Sequence, residues 1–215
     1  MKKDKLILLS GGMDSAVLLF EHVEEIALAV IFNYGSKHNE QENACARRNC
    51  DLLNVPYVEA KLDFNMLGIK SDLLQSGGEV PHGHYEDESM KRTVVPFRNG
   101  IMLSIACAIA ESNKLKHVMI ANHAGDHAIY PDCRQDFIAP MSVAMQEGTY
   151  ERVNIWAPYT YITKRQIALK GKALGVDFTW TYSCYEGDEV HCGKCGTCVE
   201  RKEALDGFDH TQYKA

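Results

Sequence analysis

Hydrophobic and polar positions along this chain alternate between short solid apolar runs and longer mixed ones. Residues 6–9, LILL, form a continuous aliphatic run ended by Ser10-Gly11, as expected of a parallel strand buried on both faces, and residues 16–22 continue as a helix. Residues 26–32 are again strand-like and stop at Asn33-Tyr34-Gly35. Residues 39–54, NEQENACARRNCDLLN, read as an amphipathic helix carrying Ala44, Leu52 and Leu53, followed by a strand over 57–62. After a break, the pattern predicts a strongly apolar helix over 101–111, a strand over 117–121, a helix over 135–146 and a short strand over 153–156. Thr163-Lys164-Arg165-Gln166 has capping-box spacing, so a helix starts there and stops at Gly175. Strands alternating with helices predict a doubly wound, mostly parallel α/β sheet with right-handed crossovers.

The break, residues 66–96, is rich in glycine, charge and histidine and has no sustained period. A loop this long inside a compact domain reads as a mobile active-site lid. Repeats and low-complexity tracts are absent. The 215 residues, 46% of them hydrophobic, suffice for one sizeable domain with a small appendage, divided here into 1–180 and 181–215.

Charge and cysteine content narrow the function classes. With 23 Lys+Arg against 29 Asp+Glu the net charge is -6, the wrong sign for a nucleic-acid partner, so none is expected. The apolar run after Met1-Lys2-Lys3 is too short for a signal peptide, and no segment reads as a membrane span, so a cytoplasmic location is expected. Four of the eight cysteines crowd toward one end, which points to metal rather than to disulfides.

Two motifs carry chemistry. Ser10-Gly11-Gly12-Met13-Asp14-Ser15 joins the first strand to the first helix, where doubly wound sheets bind ligands. Its glycines let backbone N–H groups approach an anion, its serines add donors, and Asp14 is placed either to cap the helix or to bind Mg²⁺. A plain tight turn is the competing reading. The loop lacks both the third glycine of a dinucleotide fingerprint and the Gly-Lys-Ser/Thr of a kinase-type P-loop. The second motif is SCYEGDEVHCGKCGTCVERKEAL. Cys192, Cys195 and Cys198 are separated by two residues each, and with Cys184 they offer four thiolates to a closed tetrahedral Zn²⁺. An iron–sulfur cluster uses the same ligands, and His191 is placed to substitute for one sulfur. Cys45, Cys50 and Cys107 read as small buried hydrophobes. Cys133, in a charged aromatic loop, reads as packing or as a nucleophile. Arg98, before an apolar helix, is suited to a bidentate grip on phosphate or carboxylate, with a surface salt bridge as the competing reading, and Lys164 at a helix start opposes the dipole and makes more sense facing an anion.

The motif Ser-Gly-Gly-Met-Asp-Ser resembles the SGGxDS signature of the PP-loop pyrophosphatases. Together with Tyr34, Gly35 and His38 of YGSKH, with VPFRNG at 95–100, with YPDCR at 130–134 and Phe137-Ile138, with ITK at 162–164 and with the cysteine segment, it resembles the 7-cyano-7-deazaguanine synthase (QueC) family across residues 6–206. The resemblance implies an adenine nucleotide alpha hydrolase-like fold, a structural zinc, ATP with Mg²⁺, and a homodimer. It implies a ligase that turns 7-carboxy-7-deazaguanine and ammonia into the nitrile by two adenylations, in the pathway to queuosine. Leu9, Ser10, Gly11, Gly12, Asp14 and Ser15 would then hold the pyrophosphate and its metal, with Asp14, Arg98 and Lys164 catalytic. Tyr34, His38, Arg98, Asn99, Asp126, Tyr130, Asp132 and Arg134 would bind the substrate. Competing readings are an enzyme that stops at the amide or uses another amine, a tRNA-thiolating enzyme with Cys133 as sulfur carrier, and a non-catalytic zinc module.

Overall fold

A computed structural model of the chain describes residues 2–83 and 88–214. Among the described residues, five parallel strands form one sheet: β1 (Lys5–Leu8), β2 (Ile26–Asn33), β3 (Tyr57–Lys61), β4 (His117–Met119) and β5 (Asn154–Trp156), in the order β3-β2-β1-β4-β5. Register pairs Ile7 with Ala29 on one side and with Met119 on the other. Successive side chains of a strand point to opposite faces, so the solid runs serve two cores. Ile7, Leu9, Ala29, Ile31 and Met119 pack under α1 (Met13–Glu21), α2 (Asn39–Leu53) and α5 (Lys164–Ala173). Leu6, Val30, Phe32, Val118 and Ile120 pack under α3 (Arg98–Ser112) and α4 (Gln135–Glu147). Burial on both faces is why these strands lack polar alternation, each buried aliphatic contributing about 1.5–3 kcal/mol.

The α5 capping box forms as its spacing requires. The Thr163 hydroxyl accepts from the Gln166 N–H at 3.2 Å and the Gln166 carbonyl oxygen accepts from the Thr163 N–H at 2.8 Å. The last helix, α6 (Gly196–Ala204), follows the cysteines and lies against α5, with Ala204 and Leu205 inside the first core. Residues 181–215 are therefore joined to the sheet domain through shared core. Arg201, fully buried, makes the second connection, donating to the Phe178 carbonyl at 2.6 Å and to the hydroxyls of Thr181, Ser183 and Thr211 at 2.9, 3.1 and 2.9 Å.

Two expectations are corrected. The buried face of α2 is Asn39, Asn43, Ala46, Asn49 and Cys50, while Ala44 and Leu52 are exposed. Hydrogen bonds make that polar face tenable: Asn39 accepts from the backbone N–H of Tyr34 and Ser36 and donates to the Phe32 carbonyl, and Asn49 donates to the Trp180 carbonyl. Ser89–Ser112 is long and apolar enough, by length and composition, to cross a membrane. Here it breaks before α3, whose Leu103, Ala106, Cys107 and Ala110 are buried, with Leu103 and Ala106 packed on the sheet. Described residues of the 66–96 segment have anchoring contacts: Leu73 and Leu74 lie in the second core, the Asp72 and Arg92 side chains pair at 2.7 Å, and Glu88–Thr93 forms a 3₁₀ turn. Residues 84–87 of the expected lid lie outside the described residues.

Candidate active site

A cleft opens at the carboxyl ends of β1, β2 and β4, where the strand order reverses on either side of β1. This is the switch point at which open α/β sheets bind ligands, because helix N-termini and loops converge there. Its floor is the loop between β1 and α1. Gly11 has φ +86°, and a Cβ there would stand 1.9 Å from the Glu42 carbonyl oxygen, so only glycine permits this contact between loop and α2. Gly12 is the N-cap of α1 and has no side chain to cap with; its N–H donates to the Ser10 hydroxyl at 3.1 Å, and Ser10 and Ser15 Oγ lie 3.0 Å apart.

Asp14 is not the helix cap. It sits in the first turn of α1, lines the cleft, and pairs its Oδ2 with Lys164 Nζ at 3.2 Å. Lys164, in turn, reaches Glu200 Oε2 on α6 at 2.8 Å. Burial opposes the Asp14 charge, yet the charges of Lys164 and His123 hold its carboxyl below the usual carboxylate range. Burial likewise opposes the Lys164 charge, and Asp14, Glu200 and Asp126 outweigh it, so the ammonium stays charged. Asp14 Oδ1 is buried without a hydrogen-bond partner. An orphaned anionic oxygen at a phosphate-type loop fits a hard cation such as Mg²⁺.

The opposite wall is built from Arg98, Tyr34, His38 and Glu42. Phe97, at φ +55°, turns the chain so that α3 starts at Arg98, earlier than periodicity indicates, and the guanidinium enters the cleft. Arg98 donates to the Tyr34 hydroxyl at 3.3 Å, and that hydroxyl lies 3.2 Å from His38 Nε2. Glu42 Oε2 stands 3.6 Å from the same ring nitrogen. Burial pushes the His38 imidazole down to about 3 and the Glu42 carboxyl up to about 8, so both are neutral near pH 7. Among the described residues no carboxylate lies within 4.0 Å of the Arg98 guanidinium. A half-buried cation with no carboxylate partner among the described residues is suited to an anion.

Asn99, Asp126 and Tyr130 also line the cleft, whereas Asp132 and Arg134 do not. Asp132 Oδ2 accepts the Asn99 backbone N–H at 2.8 Å at the start of α3, and the exposed Arg134 donates to the His127 carbonyl at 2.8 Å. Cys133 lines the cleft as a thiol: burial raises it well above its ordinary value, and Asn99 Nδ2 donates to its sulfur at 3.1 Å. It therefore lacks the thiolate character of a nucleophile. Sequence reasoning missed Glu42, Tyr182, Ser183, Tyr185 and Thr197 on the cleft wall. The signal for the last four is their position beside the cysteines.

Those cysteines converge. The sulfurs of Cys184, Cys192, Cys195 and Cys198 all lie within 4.8 Å of one another and are buried, while His191 stands apart, its Nε2 accepting from the Ser183 N–H at 3.1 Å. Gly193 at φ +75° turns the backbone so that the N–H groups of Lys194 and Cys195 point at Cys192 Sγ, at 3.4 and 3.3 Å. Hydrogen bonds from Cys184 and Cys198 draw the Cys195 thiol below its ordinary value. Four buried, convergent sulfurs with N–H···S support fit a closed structural metal centre.

The described portion of 66–96 does not line the cleft; Met90 packs behind Tyr130 and Cys133 instead. The family model described as queuosine biosynthesis protein QueC matches residues 4–209. This chain belongs to the QueC family. The 7-cyano-7-deazaguanine synthase of Porphyromonas gingivalis is 55% identical over 99% of this chain and 98% of its own length, and that of Desulfotalea psychrophila 47% identical over 98% of each. Like those relatives, this QueC chain is an enzyme. Among solved structures, the NMN synthetase of Francisella tularensis aligns with a TM-score of 0.52 at 16% identity, covering 97% of this chain and 79% of that one, a likeness of fold alone.

Proposed function

We propose that this chain is an ATP-dependent ligase that converts 7-carboxy-7-deazaguanine and ammonia to 7-cyano-7-deazaguanine, a queuosine precursor. The observation that carries this reading is the pairing of two features in one cleft: on one wall Arg98, half-buried and with no carboxylate partner among the described residues, and on the other the Ser10–Ser15 loop with Lys164. The loop N–H groups and serine hydroxyls hold the pyrophosphate of ATP. Asp14, with its unpartnered Oδ1, would hold the Mg²⁺ that accompanies ATP, and Lys164 would neutralise phosphate charge. Arg98 holds the substrate carboxylate against the α-phosphorus, since an anionic nucleophile approaching an anionic centre needs a fixed cation.

The first step forms a bond from the carboxylate oxygen to the α-phosphorus and expels pyrophosphate. Ammonia then attacks the acyl carbon, AMP leaves with the original carboxylate oxygen, and the amide results. The amide oxygen is adenylated in turn, and loss of AMP and protons from nitrogen leaves the nitrile. Neutral His38 and Glu42 suit this environment, because a second fixed negative charge beside Arg98 would compete with the substrate. Asn99, Asp126 and Tyr130 are assigned to the base, and Asp132 and Arg134 to holding the turn that presents them.

The four cysteines hold a structural Zn²⁺, which fixes Tyr182, Ser183, Tyr185 and Thr197 on the cleft wall. The 66–96 segment is assigned to closing over bound substrates. A cytoplasmic homodimer is the working assembly. Substrate labelled with ¹⁸O in both carboxylate oxygens tests the chemistry directly: one label is expected in each of two AMP molecules per nitrile. Label still held by an amide once turnover is complete, or transferred to inorganic phosphate, contradicts the two-step scheme.

A further inference from the structure

The sulfur cluster is nearly sealed. Cys184, Cys195 and Cys198 have no exposed surface, and Cys192 alone of the four is open, at 4%. A metal reaching the cluster must pass Cys192. Outside that sulfur stand His82 and Glu186, with His82 Nε2 2.8 Å from Glu186 Oε1, and a ring nitrogen, a carboxylate oxygen and Cys192 Sγ all lie within 4.8 Å of one another. The imidazole is half exposed, so it meets solvent and sulfur at once. Its place is built by backbone: His82 forms a bridge with Cys195, the Gly83 N–H donates to the Lys194 carbonyl at 3.2 Å, and Val80 packs on the cysteine cluster. Nothing in the adenylation chemistry uses these residues.

We propose that His82, Glu186 and Cys192 form a transit site through which a divalent soft metal ion enters and leaves the four-cysteine centre. This rests on reading that centre as a metal site. The donor set suits the task. Imidazole, carboxylate and one thiolate bind zinc-like ions less tightly than four thiolates, so an ion held there moves inward. Cys192 belongs to both sets, so metal passes without crossing a gap. During exchange the incoming ion bonds to His82 nitrogen, a Glu186 oxygen and Cys192 sulfur, and the resident ion gives up its sulfurs in turn. No electron is transferred. Three ligands, one borrowed from a neighbouring centre, make a poor permanent site.

The test is cadmium-for-zinc exchange in the full-length protein as isolated, followed by sulfur-to-cadmium charge-transfer absorption, with metal content measured at the end. His82→Ala and Glu186→Gln are each expected to slow exchange about tenfold and to leave one cadmium per chain. His82→Cys, which keeps a soft ligand, is expected to restore the rate. Lys214, whose Nζ is 3.9 Å from Glu186 Oε2, supplies charge without ligation, so Lys214→Ala should not slow exchange. Unchanged rates in both ligand variants overturn the proposal, as does a second cadmium retained per chain, which would make the site resident. A protein that takes up no metal on its four cysteines removes the underlying centre as well, an outcome separate from either of these.

Discussion

Asp14 carries two requirements at the scale of a single residue: it must stay ionised while half-buried, and it must leave one oxygen free. Lys164 meets the first at 3.2 Å, and the absence of any partner for Oδ1 among the described residues meets the second. Asp14→Asn keeps the size and loses the charge, so AMP release with saturating substrates is expected to fall by about 10²-fold or more with thermal unfolding little changed. Glu42 makes a different prediction. Its folded value, about 8, exceeds the ordinary 4.5 because of burial. Such a group contributes most below pH 4.5, and its contribution is lost as pH rises toward 8, because the unfolded chain ionises first. Glu42→Gln is therefore expected to gain stability relative to the parent between pH 5 and 8, approaching about 1.4 kcal/mol per pH unit in denaturant titrations. His38 runs the other way: lowered to about 3 by burial, it contributes fully above pH 6.5 and loses that contribution as pH falls toward 3. Constant relative stability of the Gln variant across this range would show that Glu42 ionises normally in the fold.

At the scale of elements, the sequence is most legible where one residue type is physically required. The α5 capping box, the glycine stop after it and the fully apolar strands all stand where periodicity places them. The pattern misleads where hydrogen bonds replace apolar burial. The α2 helix buries Asn39, Asn43 and Asn49, so an apolar-face reading turns the helix the wrong way and hides Glu42. The start of α3 shifts because Phe97 adopts a left-handed conformation that no propensity favours. Short 3₁₀ turns carry the 124–133 region, and spacing alone does not say which side chains of a turn face inward; Asp132 and Arg134 therefore fall outside the cleft. Gly11 joins the loop to α2 with no room for a side chain. Gly11→Ala is expected to cost about 1–3 kcal/mol by thermal unfolding and to weaken ATP binding, since either the loop or α2 must move. An unchanged melting temperature would mean the contact relaxes freely.

Across the whole molecule, the four-cysteine cluster and the cleft are one structure. Arg201 and Leu205 tie the cysteine region to the sheet domain, and Tyr182, Ser183, Tyr185 and Thr197 bring it to the cleft wall. The cysteine spacing made the centre readable, because a metal demands its ligands at fixed intervals. Its reach into the active site was not readable, since it depends on long-range packing. Binding energy at a closed thiolate centre is folding energy. Removing the metal with a strong chelator is therefore expected to lower the melting temperature and to abolish AMP formation together, with zinc restoring both; elemental analysis should find about one zinc per chain, and iron would overturn that assignment. The central claim is the reaction itself. It is tested most directly by incubating the protein with 7-carboxy-7-deazaguanine, ammonium and Mg-ATP and resolving the products by mass. The expected result is the nitrile with two AMP and two pyrophosphate per molecule formed. Accumulation of the amide with one AMP, or no AMP under any condition, would contradict it.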